Sequence, residues 1–349
     1  MAAISIDSQR LWKSLMDLAK IGATEKGGVR RLALSKLDGE ARDLFIRWCK
    51  DAGCNIAIDG IGNIFARRPG KENALPPIIT GSHIDTQPSG GKFDGNYGVM
   101  SGLEVIRTLN DRNIRTQAPI EVAVWTNEEG SRFTPVMMGS GVFVGAFPLE
   151  STLQRADLEG ITVGQALTQI GYAGAEKIGG RPVGAYFEAH IEQGPILEDT
   201  RKVIGVVVGA LGLRWYDVVI TGQDAHAGPT PMRLRKDALL AAANVVAEIN
   251  ALAYRYQPDG RGTVGFMQVK PNSRNVVPGE VRFSVDLRHA QDAMLDRMES
   301  EMRAACERLA KAGNVGASVE RVANYPACEF DASCVSAVRN AAPLPRLCG

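Results

Sequence analysis

Over the first two hundred residues the hydrophobic positions alternate between two spacings. Helical spacing puts Leu11, Leu15 and Leu18 on one face of an amphipathic segment capped by Asp7. LDGEARDLFIRWCKDAG reads as a second helix that stops at Gly53. CNIAID and NIFARR alternate as short strands, PPIIT is a buried strand, and PIEVAVWT and GAYFEAHIE are further strands. YGVMSGLEVIRTLNDRN, behind a glycine-rich turn, and ITVGQALTQIGY have helical periodicity. Such alternation predicts an α/β fold with helices on both faces of the sheet. Ligands in these folds gather at the carboxyl ends of strands, and polar clusters follow several of the apolar strands here.

After VIGVVVGALGLR the pattern changes. RWYDVVIT, TVGFMQV, VRFSVDLR and ASVERV read as strands, and KDALLAAANVVAEINALAYRY and AMLDRMESEMRAACERLAKAG as long helices. Their β-α-β-β-α-β order predicts a ferredoxin-like layer. The expected organisation is a first domain over residues 1–212, an inserted α+β domain over 213–322, and a return to the first domain over 323–349. At 349 residues the chain is too long for one ordinary core.

Lys plus Arg number 40 and Asp plus Glu 39, a balance that argues against binding nucleic acid or a membrane surface by charge. No apolar run approaches the roughly 18 residues of a membrane span. The N-terminal segment lacks the basic start and continuous apolar stretch of a secretory signal. Cys49, Cys54, Cys306, Cys328, Cys334 and Cys348 form no CxxC pair and are too sparse for a disulfide framework. Free thiols in a reducing cytoplasm are the expectation.

The candidate chemistry sits in a few polar stretches. In GSHIDTQPSGGKFDGNYG, His83 and Asp85 lie two apart at a strand end, where both side chains point the same way. A metal-bound imidazole gives its other N–H to a carboxylate, which fixes the tautomer, and Asp85 is placed to receive it. Gly90 and Gly91 allow a turn that folds Asp94 back over His83. The alternative for this segment is a polar loop. TNEEGSRF places Glu128 and Glu129 at the end of another strand, pointing apart, so that one can bind metal while the other faces a water as general base. A solvated acidic turn is the alternative there.

EAHIEQG brings His190 to a third strand end, with Gln193 beyond it. Carboxylates mixed with imidazole suit zinc or manganese. His226, in GQDAHAGPTPM, is suited either to orienting a helix start or to stabilising charge on a substrate. Asn275 in a turn and Arg288 at a strand end form a pair able to hold a carboxylate, or else lie on an ordinary surface. His289 has no companion and reads as structural. GSGVFVGAF lacks the P-loop lysine and any dinucleotide fingerprint.

In order, GSHIDTQPSGGKFDGNYG, TNEEGSRF, EAHIEQGP, DAHAGPTPM and NVVPGEVRFSVDLR resemble the metal-dependent N-carbamoyl-L-amino acid hydrolases. These are relatives of allantoate amidohydrolases and β-ureidopropionases within the zinc aminopeptidase-like amidohydrolases. The resemblance runs from about residue 7 to about residue 338. It implies a catalytic α/β domain with two divalent ions, Zn2+ or Mn2+, and an inserted lid that also forms a homodimer interface. It implies His83, Asp94 and His190 at one ion, with Asp94 bridging to a second that Glu129 also binds. It implies Glu128 as general base with Asp85 supporting His83. Gln193, His226, Asn275 and Arg288 would contact a small ureido acid, with His226 reaching the partner subunit's site. A metallo-aminopeptidase or dipeptidase shares NEEG and HID but not the full set of motifs.

The resemblance implies one more metal ligand, a histidine on a glycine-rich segment near the C-terminus. No histidine follows His289, and a helix starting at Asp331 meets Pro343 and Pro345. The expectation is therefore a chain truncated, or frame-shifted near Ala342, whose second metal site is incomplete and whose activity is impaired. A non-catalytic, metal-binding remnant is the rival reading of another class.

Overall fold

Asp7 accepts the Arg10 amide at 3.0 Å and caps α1 (Ser8–Leu18), whose Leu11, Leu15 and Leu18 are buried as their spacing requires. The computed structural model describes residues 4–342. Contacts divide the chain into two compact units, the first ending at Val203 and the second starting at Ile204. Residues 204–212 and 323–342 thus cluster with the second unit, whereas the sequence reading assigned both stretches to the first domain.

The first unit continues with α2 (Lys36–Asp51), β1 (Asn55–Ile58), β2 (Ile64–Arg68), β3 (Ile78–Ser82), α3 (Asn96–Asp111) and β4 (Ile120–Val124). Short helices α4 (Met138–Phe143), α5 (Leu149–Leu153) and α6 (Val163–Gln169) follow, then β5 (Ala185–Phe187) and α7 (Ile196–Asp199). The five strands form one mixed sheet in the order β1-β2-β4-β3-β5. Strands β4, β3 and β5 run parallel, while β2 pairs antiparallel with β4 and β1 antiparallel with β2.

Alternation along the strands builds two cores. Ile64, Ala66, Val122 and Val124 face the larger one, with Phe45 of α2 and Val99, Leu103 and Ile106 of α3. Phe65, Ile79 and Ala123 point the other way, into a small cluster with Trp125 and Phe143 of α4. Burying each large side chain contributes about 1.5–3 kcal/mol, so the α2/α3 face carries most of the stability of this sheet.

The second unit contains β6 (Gly209–Ala210), β7 (Gly212–Thr221), β8 (Ala225–His226), α8 (Ala238–Arg255), β9 (Arg261–Thr263), β10 (Met267–Lys270) and β11 (Val276–Val277). It continues through β12 (Glu280–His289), α9 (Asp292–Ala312), β13 (Gly316–Tyr325), β14 (Cys328–Glu329) and α10 (Ala332–Ala341). The main sheet runs β10-β12-β7-β13 with every neighbour antiparallel. Tyr216, Val218, Ile220, Phe283, Val285 and Leu287 share one core with residues of α8 and α9. This is the ferredoxin-like order read from the sequence, with the short pairs β8–β11 and β6–β14 added.

His289 is buried and accepts the Gln291 amide at 3.0 Å, a structural role. Cys49, Cys54, Cys306, Cys328 and Cys334 are free. Among the described residues no helix is long and apolar enough to cross a membrane. Asp331 caps α10, which ends at Ala341. Pro343, Pro345 and Cys348, and with them the expected frameshift near Ala342, fall at or beyond the end of the described residues.

Candidate metal centre

Parallel pairing puts the carboxyl ends of β4, β3 and β5 on one side of the sheet, with Ser82 level with Val124. His83, Glu128 with Glu129, and His190 all lie just past these ends. The sequence reading extended the third strand to Glu192. The observed strand stops at Phe187, and His190 lies three residues beyond it.

Each histidine is fixed by a main-chain carbonyl. His83 Nδ1 faces the Asp85 carbonyl oxygen at 2.9 Å, and His190 Nδ1 faces that of Ile191 at 2.8 Å. A carbonyl only accepts, so Nδ1 carries a proton in both rings, and Nε2 is the nitrogen left to face a cation. The expectation that the Asp85 carboxylate holds His83 is corrected here. Its nearest oxygen is 3.9 Å from Nδ1, and the carboxylate instead accepts the Glu128 and Glu129 amides at 3.3 Å each.

Asp94 folds back as expected. Its Oδ1 is 3.3 Å from His190 Nε2 and 3.9 Å from His83 Nε2. His83, Asp94 and His190 each offer one ligand atom, all within 4.8 Å of one another. Gly95 makes this approach possible. Its φ is +66°, and a Cβ there would lie 2.4 Å from His83 Nε2. Asn96 binds the Asp94 carbonyl from its side-chain amide and accepts Arg31 Nη2 at 2.7 Å. Arg31, fully buried, also donates to the Ile84 carbonyl at 2.7 Å, so one guanidinium braces both sides of the His83–Asp94 loop.

The Glu128–Glu129 turn is not a simple strand end. Asn127 has φ +50°, and its side chain donates to the Phe133 carbonyl at 2.8 Å. Buried Arg42, paired with Asp38 at 3.0 Å, reaches the Thr126 hydroxyl and the Gly62 carbonyl. Asn63 accepts the Thr126 amide at 3.0 Å. The two glutamates do diverge. Glu128 Oε2 sits 3.5 Å from His83 Nε2, whereas Glu129 Oε2 accepts the Gln87 side-chain amide at 2.8 Å.

Burial pushes the Glu128 carboxyl up to about 7; His83 opposes this, and Asp85, Glu129 and Glu188 add to it. Burial likewise raises Asp85 to about 6. For His83 burial acts against charging, but the carboxylates of Asp85, Glu128 and Glu129 outweigh it and raise the imidazole.

The donor set fits divalent cations. Two imidazoles turn their Nε2 atoms toward the Asp94 carboxylate, and the surrounding acids repel one another. Glu129 Oε1 is buried without a hydrogen-bond partner, an oxygen that a cation would satisfy. Gln193, at φ +54°, donates to Asp94 Oδ2 at 2.6 Å.

Three expected substrate residues belong to the second unit. The β8–β11 pair sets His226 opposite Val276, and the Asn275 carbonyl accepts the Ala227 amide at 2.8 Å. His226 is exposed, and its Nδ1 accepts the Gly228 amide. Arg288 is held through Nε and Nη2 by Asp286, which also accepts the Trp215 indole N–H at 3.0 Å. Arg31, Arg42, Asn63, Gln87 and Ser131 were not singled out from the sequence, since each reads there as an ordinary polar loop or helix residue.

Fold and site together define a hydrolase of zinc-exopeptidase-like fold with a His83–Asp94–His190 cluster able to hold a cation. The chain belongs to the peptidase family M20/M25/M40, whose family pattern matches residues 79–343. An N-carbamoyl-L-amino-acid amidohydrolase of Rhizobium meliloti is 48% identical over 341 residues, covering 97% of this chain and 81% of that protein. An allantoate amidohydrolase of Bacillus subtilis is 34% identical, covering 82% of this chain and 70% of that one. The crystal structure of an amidase of the hydantoinase/carbamoylase family from Burkholderia multivorans is 55% identical with a TM-score of 0.93, covering 97% of this chain and 82% of that one. With these relatives, the chain is a hydrolase of non-peptide amides.

Proposed function

We propose that this chain hydrolyses the ureido C–N bond of N-carbamoyl-L-amino acids. Water is consumed, and the products are the amino acid and a carbamate that breaks down to carbon dioxide and ammonia. The observation that carries this reading is the convergence of His83, Asp94 and His190, with Glu128 3.5 Å from His83, in a chain so similar to a carbamoyl-amino-acid amidohydrolase.

His83, Asp94 and His190 would hold one Zn2+ or Mn2+, and Asp94 with Glu129 a second. Such ions, when bound, acidify water and polarise a carbonyl. Glu128 takes the proton of the attacking water on its carboxylate and returns it to the leaving nitrogen. Asp85 holds the amides of Glu128 and Glu129, so the base and its neighbour keep their divergent directions. His226 would donate a hydrogen bond to the oxygen that gains charge, and Arg288 with Asn275 would hold the substrate carboxylate. Gln193 would meet the substrate from the Asp94 side.

Following the resemblance, the active form is a homodimer joined through the second unit, with residues 213–322 as the lid and His226 serving the partner's site. The free cysteines suit a reducing compartment, and we assign the protein to the cytoplasm. Among the described residues, Asp94 and Glu129 are the ligands assigned to the second ion.

Allantoate is the second reading, favoured by the Bacillus subtilis relative. The test is a panel of N-carbamoyl-L-amino acids, N-carbamoyl-β-alanine, allantoate and a dipeptide, offered with Zn2+ or Mn2+. Preferred turnover of the N-carbamoyl-α-amino acids supports the first reading, and preferred turnover of allantoate replaces it.

A further inference from the structure

We propose that Gln87 is a positioning residue for the second ion, fixing Glu129 as a ligand that offers a single oxygen. This rests on the assignment of Glu129 as a ligand made above.

Gln87 lies two residues beyond Asp85, on the loop that carries His83. Its side-chain nitrogen donates to Glu129 Oε2 at 2.8 Å and approaches the Glu129 carbonyl oxygen at 3.5 Å. Its side-chain oxygen accepts the Ser131 hydroxyl at 2.7 Å. The direction of the amide follows from chemistry, since an ionised carboxylate only accepts and must meet the NH2 group. The Ser131 hydroxyl donates to the amide oxygen that this orientation leaves facing it.

Glu129 therefore has one engaged oxygen and one free oxygen. The free one, Oε1, is buried without a partner. A buried carboxylate oxygen left unpaired is costly unless a cation completes it. With Oε2 held by Gln87 and Oε1 unpartnered, Oε1 is the oxygen poised for the cation, and turning to chelate through both would strain the bond to Gln87. Gln87 thus orients the ligand and withholds its second oxygen, as hydrogen-bond partners of metal ligands commonly do. Asp85 fixes the Glu129 main chain from the other side, so the residue is held at both backbone and side chain.

The test compares the full chain with Gln87→Met, Ser131→Ala and Glu129→Ala, each stripped with chelator and titrated with Mn2+ while bound ion is counted by electron paramagnetic resonance. Gln87→Met keeps side-chain length and removes the donor. It should weaken the second binding event by about 10–100-fold and leave the first unchanged. Ser131→Ala should weaken the second event by a smaller factor. A general structural defect would weaken both events, which would overturn the proposal, as would a Gln87→Met chain with the parent's second affinity. The ligand assignment is judged separately. If Glu129→Ala retains the second event, that assignment falls; if it loses the event while Gln87→Met does not, only the role of Gln87 falls. A parent chain that binds a single Mn2+ overturns both.

Discussion

The carboxylate of Asp85 accepts the backbone amide of Glu128 at 3.3 Å, joining the loop after β3 to the turn after β4. Asp85 is therefore less a partner of the His83 ring than a clamp on the base. Asp85→Asn would set an NH2 group against one of two backbone N–H groups. Turnover should drop about 10–100-fold while the ion at His83, Asp94 and His190 is retained. Parallel measurement of kcat and of metal content checks this, and joint loss of both would give Asp85 a ligand-supporting role instead.

Gly95 is where the site tolerates no side chain. A Cβ would sit 2.4 Å from His83 Nε2 on a backbone with φ +66°. Gly95→Ala should displace the ring and abolish tight binding of the first ion, as read by equilibrium dialysis against Zn2+. Unchanged affinity would show that the helix start can shift to make room.

The buried Arg42–Asp38 pair bears on stability more than on chemistry. Both side chains are at most 1% exposed, so Arg42→Met leaves Asp38 buried without its cation. The loss should be about 3–5 kcal/mol. In a unit of this size that lowers the first thermal transition by on the order of 10 °C. A scanning calorimeter reads it directly, and a shift under a degree or two would mean that Asp38 takes up a proton at little cost.

The two ions should differ in affinity. Calorimetric titration of the stripped 349-residue chain with Zn2+ should show a tight first event at His83, Asp94 and His190 and a weaker second event. Two events of equal affinity would point to a ligand for the second ion beyond Asp94 and Glu129.

Much of this was legible in the sequence because the signals were local. Leu11, Leu15 and Leu18 declare α1 by spacing alone, and HID, NEE and EAH announce themselves by following apolar strands. The β-α-β-β-α-β order likewise appears as alternating periods. What stayed hidden depends on distant pairing. Nothing local tells that Arg31 braces the Asp94 loop, that Arg42 reaches Thr126, or that Gln87 meets Glu129 across 42 positions. Asp85 was misread for a related reason. Its spacing from His83 suggests a side-chain contact, but the chain leaves strand geometry at Ser82 and a carbonyl takes that place. Two-residue pairs such as β8–β11 carry too few residues to show a period.

The most direct test compares the parent chain with Glu128→Gln, both stripped and reloaded with Zn2+ or Mn2+, for release of amino acid and ammonia from an N-carbamoyl-L-amino acid. Restored ion should restore turnover in the parent, and Glu128→Gln should lose about 10²–10⁴-fold in rate with nearly unchanged metal content. Turnover that survives chelation, or a Glu128→Gln chain as fast as the parent, would contradict a metal-dependent hydrolase with Glu128 as its base.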